Sequence, residues 1–168
     1  IRAYLLYTYG GIWLDATCYI LENKALEYEK YYFYSQKYKK GKSKFFNDGK
    51  WSSFYLISGK NNPVMCFLYN FWLEYWKNND YLADYFMTDI ILEIGYEEIH
   101  IIHDIIDEVP ENNEGIMYIL ENWNKEGNIN SIKNILKDTS LIKLDWRKGI
   151  NTTHGNEVGN IFIEQIME

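Results

Sequence analysis

The chain has 168 residues, a net charge of −7 and an aromatic content of 18%, with sixteen Tyr and six Trp. Lys and Arg are outnumbered 17 to 24 by Asp and Glu, which excludes a nucleic-acid binder whose affinity rests on neutralising phosphates. The size fits one domain with a real core, no apolar run reaches the ~18 to 20 residues of a membrane span, and Cys18 and Cys66, both in apolar runs, read as buried free thiols of a cytoplasmic protein.

The chain does not begin with Met and opens inside a helix, so it reads as an N-terminally truncated fragment, one partial domain over residues 1–168. Ile1, Ala3, Tyr4, Leu5, Leu6 and Tyr7 surround one cation, Arg2, too densely for a solvent helix, and predict a buried one. Gly10-Gly11 ends it, because glycine accepts the left-handed backbone that closes a helix. Ile12-Trp13-Leu14 is long enough only for a buried strand, and it stops at Asp15. That places a carboxylate at the strand's carboxyl edge, where open α/β sheets bind ligands.

Residues 18–21 continue as a short extended segment and 22–24 as a turn. Residues 31–34 form a second strand by aromatic enrichment, 37–50 a cation-rich loop punctuated by Gly41 and Gly49, and 51–58 a buried strand. Asn62 caps and Pro63 opens a helix to residue 78, with Met65, Leu68, Tyr69, Trp72 and Trp76 on one face. A second helix over 81–92 turns Leu82, Tyr85, Phe86 and Ile90 inward, and Gly95 breaks it. A further helix spans 99–106, stopped by Val109-Pro110. Asn113 caps a helix over 114–123, and Asn130 or Ser131 another to 137. Residues 139–146 form a last strand, 151–156 a loop, and a closing helix carries Val158, Ile161, Phe162, Ile166 and Met167. There is no internal repeat and no low-complexity linker.

Arg2 followed by Tyr7-x-Tyr9-Gly10-Gly11-Ile12-Trp13-Leu14-Asp15-Ala16-Thr17 resembles the core signature of the capsular polysaccharide synthesis glycosyltransferases, relatives of the initiating-mannosyltransferase and toxin-like sugar transferases. The resemblance continues through Trp51, Asn62-Pro63, Tyr75-Trp76, Asp84-Tyr85-Phe86, Pro110-x-Asn112-Asn113 and Lys143-Leu144. It implies an α/β chain of the type A glycosyltransferase fold, a Rossmann-like mixed sheet flanked by helices, with the first nucleotide-binding strands upstream. It implies donor binding at Arg2, Tyr9, Gly10, Gly11, Trp13, Asp15 and Thr17. In the family the strand ends in Asp-x-Asp or, in the capsular branch, Asp-Ala-Thr, as here.

A sugar nucleotide leaves as a charged diphosphate, which Mn²⁺ or Mg²⁺ held by one or two carboxylates neutralises. Asp15 is the expected metal ligand, with Thr17 a weak oxygen donor where the family's second carboxylate is absent; the alternative for Asp15 is a turn cap after a strand. Arg2 needs a partner or the surface, since an unpaired cation in an apolar helix is costly. Asp84 is the first candidate for the general base that takes the acceptor's proton in an inverting reaction, with Asp80 and Asp89 as rivals and a solvated helix carboxylate as the alternative. His154, in the loop before the last helix, is a further metal-ligand candidate, although the family more often carries an aromatic there. His100 and His103 share a helical face with only Asp104 to complete a metal site, and read as surface or core histidines. Lys37, Lys39, Lys40, Lys42, Lys44 and Lys50, with Phe45 and Phe46, form a solvated loop or a peripheral contact with anionic lipid at the inner face of the membrane.

The function expected is metal-assisted transfer of a sugar from a nucleotide-sugar donor to a glycan or lipid-linked glycan acceptor of the capsule or another surface polysaccharide. Two alternatives stand beside it. A degenerate, non-catalytic transferase-like binding domain is one; an aspartyl-nucleophile phosphohydrolase is the other, though Thr17 stands where its second Asp should be.

Overall fold

A computed structural model describes residues 1–21, 32–39, 41, 43, 45–148 and 155–167. Seven helices and five strands lie among them: α1 (Arg2–Tyr9), β1 (Gly11–Leu14), β2 (Cys18–Ile20), β3 (Phe33–Ser35), β4 (Tyr55–Ser58), α2 (Pro63–Asn78), α3 (Met87–Glu98), α4 (His100–Asp107), α5 (Tyr118–Asn122), α6 (Ile129–Ile135), β5 (Leu141–Lys143) and α7 (Val158–Gln165). The class is mixed α/β. Every strand pairing among the described residues is antiparallel, which differs from the mixed sheet expected. No helix among the described residues is long and apolar enough to cross a membrane.

The chain forms two compact units, Ile1–Leu14 with Tyr28–Asn112, and Asp15–Glu27 with Asn113–Glu168. In the first, β4 lies between β1 and β3, with Gly11 opposite Ser58 and Leu14 opposite Tyr55. All four β4 residues are buried, as the apolar run Tyr55-Leu56-Ile57 requires. The strand is shorter than the eight residues expected, because residues 51–54 run through a turn before it.

Helix α2 begins where the sequence signals it. Asn62 Oδ1 accepts from the backbone N–H groups of Val64 and Met65, at 2.8 and 3.4 Å, and Pro63 follows at the first helical position, where its missing N–H costs nothing. The inward face carries Val64, Met65 and Leu68. Trp76 lies half exposed instead of inside. Tyr69 joins α2 to α1, its ring 5.4 Å from that of Tyr4 and 6.1 Å from that of Tyr7. Helix α1 is not the buried helix expected: only Ala3 and Leu6 are buried.

Three further expectations are corrected in this unit. Residues 81–86 are turns, not helix, and Tyr81, Leu82, Tyr85 and Phe86 are exposed. Gly95 does not break α3 but lies buried within it, where a Cβ would stand 2.7 Å from Phe67 Cε1; close packing, not chain reversal, selects glycine there. The break falls at Ile99, whose extended backbone separates α3 from α4.

The second unit pairs β2 with β5, Tyr19 opposite Ile142. Its core is Ile119, Trp123, Ile132, Leu136, Ile142, Val158, Ile161 and Phe162. Phe162 is fully buried and meets the Tyr19 ring edge-on at 5.6 Å, a burial worth about 1.5–3 kcal/mol. Asn113 does not cap a helix here: its Oδ1 accepts from the Ser140 N–H and Oγ at 2.7 and 2.8 Å, and α5 is only five residues long. The cap of α6 is Asn128, whose Oδ1 accepts from Ser131 N, ahead of the two residues expected. The last strand spans three residues in place of eight.

Candidate active site

The signature runs from one unit into the other, through Leu14 in the first and from Asp15 onward in the second, and each part is built by its own neighbours.

In the first unit, α1 turns into β1 at Gly10, with φ 70° and ψ −164°. Few residues other than glycine adopt that backbone, and a Cβ there would lie 2.9 Å from both Lys60 N and Ser58 O. Asn61 N donates to Tyr7 O at 2.8 Å, holding the turn against residues 58–61. Gly10 is therefore explained by chain geometry; Gly11 has a φ of 105° but no atom within 4 Å of where a Cβ would stand, and Tyr9 is exposed beside them. Arg2 finds the partners that its apolar helix demanded. Its guanidinium lies 4.9 Å from the centroid of the Trp13 ring, and Nη1 donates to Ser53 O.

Next to this cation stands Asp89, in the first turn of α3. Ser53 Oγ donates to Asp89 Oδ2 at 3.1 Å. Burial raises the Asp89 carboxyl above its ordinary pKa, while the hydrogen bond from Ser53 and the charge of Arg2 pull it partly back. A carboxyl held in this way suits proton transfer. Asp84, the first candidate in the sequence, is exposed and lies in a turn, where its Oδ1 accepts from Phe86 N at 2.7 Å. The rival Asp89 therefore has the better surroundings, and the helix expected to carry both starts three residues after Asp84.

A groove of about 550 Å³ in the same unit is lined by Arg2, Tyr69, Trp72, Trp76 and Thr88, among others. The Trp72 and Trp76 rings are nearly parallel, 13° apart with centroids 5.8 Å apart, so flat aromatic surface lies beside a guanidinium.

In the second unit, Asp15, Thr17 and Lys143 come together. β2 follows the Asp15 turn, closed by Cys18 N donating to Asp15 O at 2.9 Å, and Leu144 N donates to Thr17 O at 2.8 Å. Antiparallel pairing of Cys18 with Lys143 brings the lysine beside the turn. Lys143 Nζ donates to Thr17 Oγ1 and lies 3.7 Å from Asp15 Oδ2, with Asp15 the more exposed of the two at 33% against 19%. A divalent cation wants several oxygen ligands. Here Asp15 offers one carboxylate and Thr17 one hydroxyl beside the Lys143 ammonium, a set that would hold Mn²⁺ or Mg²⁺ only together with the oxygens of a bound diphosphate. The Lys143 ammonium is held between Asp15 and Thr17.

Lys143 was legible in the sequence only as part of a matching dipeptide; the further signal was a lone lysine within the apolar run Leu141-Ile142-Lys143-Leu144. The other expectations divide. His154 lies outside the described residues, as do the turn at 22–24, Tyr31, Lys40, Lys42 and Lys44. Lys37 and Lys50 do not face solvent as free cations: Lys37 Nζ donates to Ile106 O at 3.1 Å, and Lys50 Nζ pairs with Glu93 Oε1 at 2.9 Å. Asn112 donates from Nδ2 to Ser35 O at 3.0 Å and so anchors its loop. His100, His103 and Asp104 do meet on α4, with one ligand atom from each within 4.8 Å of the others.

Compared with known proteins, the chain belongs to the family described as capsular polysaccharide synthesis protein, whose model matches residues 1–166. Neither the curated proteins nor the solved structures yield a significant match.

Proposed function

We propose that the chain is part of a glycosyltransferase of the type A fold that moves a sugar from a nucleotide-sugar donor to a capsular or other cell-surface polysaccharide, free or lipid-linked, in the cytoplasm. Family membership supports the process; the single observation that carries the chemistry is Lys143 seated on Asp15 and Thr17. In the reaction, the acceptor oxygen bonds to the anomeric carbon as that carbon's bond to the diphosphate breaks, and the diphosphate departs with the bonding pair. The Lys143 ammonium neutralises that developing charge. Asp15 and Thr17 orient the ammonium group, so that little reorganisation is needed as the charge appears.

In the first unit, the carboxylate suited to accept a hydroxyl proton is Asp89, in place of Asp84. The parallel Trp72 and Trp76 rings support a saccharide ligand in their groove, since an aromatic face buries the apolar face of a pyranose.

Calorimetric titration of UDP, GDP and CDP into the protein and into Lys143→Met tests this. One nucleotide should bind, and the variant should bind it roughly 10- to 100-fold more weakly, the loss of one charged hydrogen-bonding partner. A well-folded protein that binds none of them would leave the non-catalytic alternative standing.

A further inference from the structure

We propose that α4 carries a surface site for a divalent transition-metal ion, built from His100, His103 and Asp104 and separate from the transferase chemistry. The three residues stand at positions i, i+3 and i+4 of one helix, the spacing that puts side chains on one face. Asp104 is at the centre, its Oδ2 3.4 Å from His100 Nε2 and its Oδ1 3.5 Å from His103 Nδ1. Ligands on a tetrahedral ion with bonds of about 2.0–2.1 Å stand about 3.3–3.4 Å apart. The two pairs use different oxygens of the one carboxylate, and with one ligand atom from each residue the three lie within 4.8 Å of one another, a set that the His100 imidazole, 90% exposed, can tighten by rotation.

The surroundings of His103 point the same way. Its ring stacks on Tyr96, with centroids 4.4 Å apart and planes 27° apart. Its Nε2 faces Asp107 Oδ2 at 3.9 Å, while Asp107 Oδ1 accepts from the Tyr96 hydroxyl at 3.0 Å. That donor keeps Asp107 oriented. Lys37 Nζ lies 3.9 Å from Asp107 Oδ1, which makes Asp107 a supporting carboxylate and not a ligand. At 3.9 Å the Asp107 carboxylate is a charge contact on Nε2 and not a hydrogen bond, and it leaves the other ring nitrogen to meet the metal. That other nitrogen, Nδ1, is buried and makes no hydrogen bond among the described residues. Two imidazoles and one carboxylate suit Zn²⁺ and its neighbours over Mg²⁺ or Ca²⁺, which prefer all-oxygen sites, and the fourth position is open to water.

Zn²⁺ titrated against a chromogenic chelator into untagged protein tests the site. Wild type should take up one equivalent that excess Mg²⁺ does not displace. His100→Ala and Asp104→Asn should weaken uptake by more than about tenfold, the least that loss of a metal's supporting contacts costs, with unchanged circular dichroism. Asp15→Asn should retain the Zn²⁺, which separates this site from the signature. Wild-type affinity persisting in His100→Ala, or no uptake by wild type, would overturn the proposal. His100 is exposed, so its replacement leaves the fold intact and the result readable.

Discussion

Lys143 reaches across the antiparallel pair β2–β5 to donate to Thr17, 126 residues earlier in the chain, and stands 3.7 Å from the carboxylate of Asp15. Removing one member of this trio changes the others. Asp15→Asn leaves the ammonium oriented by Thr17 alone and should weaken nucleotide binding several-fold, less than Lys143→Met does. Lys143→Arg should recover part of the loss, since charge survives while the planar fork meets the turn differently. Dissociation constants for the three variants check the order; equal loss in all of them would show that the trio is structural only.

Asp89 and Asp84 give opposite predictions from similar chemistry. Asp89→Asn should lower kcat by about 10²–10⁴, the range for a lost general base, whereas Asp84→Asn removes only a turn contact and should change it by a few-fold at most. A base works ionised, and the carboxyl of Asp89 is raised above its ordinary value by burial. Transferase activity should therefore fall as pH falls through that raised value, earlier than for an exposed carboxylate. A pH–rate profile of wild type that keeps its activity well into the acid range would exclude Asp89 from this role.

Gly10 is strained for any other residue. Gly10→Ala must place a Cβ 2.9 Å from two backbone atoms on a backbone that L-residues avoid, a cost of about 2 kcal/mol or more. For a chain of this size that lowers the thermal midpoint by roughly 4 to 8 °C. Differential scanning calorimetry reads it, and a midpoint within a degree of wild type would show that the turn relaxes.

Asn62 does two jobs. Its Oδ1 caps α2, and its Nδ2 donates to Tyr32 O at 3.0 Å, all in a fully buried position. Asn62→Ala should therefore cost about 2 kcal/mol, the upper end for an N-cap, because a carbonyl is left unpaired as well. Asn62→Asp, which keeps the cap acceptor and loses the donor, should lie between the two by urea denaturation.

What the sequence alone determined about this protein is what rests on short-range chemistry. Asn62-Pro63 marks the start of α2 and Gly10-Gly11 the end of α1, because caps and left-handed turns are decided by the residues that make them. The family signature is legible for the same reason, as a contiguous string. Tertiary structure decided the rest. Gly95 is a helix breaker by propensity, yet Phe67 needs the space and α3 continues through it. The apolar residues at 81–86 match a helical face, but they stay exposed and the helix begins later. Asp84 and Asp89 are both carboxylates near one helix start, and only burial beside Ser53 and Arg2 separates them. The meeting of Lys143 with Thr17 follows from strand register, a long-range pairing that no local pattern encodes.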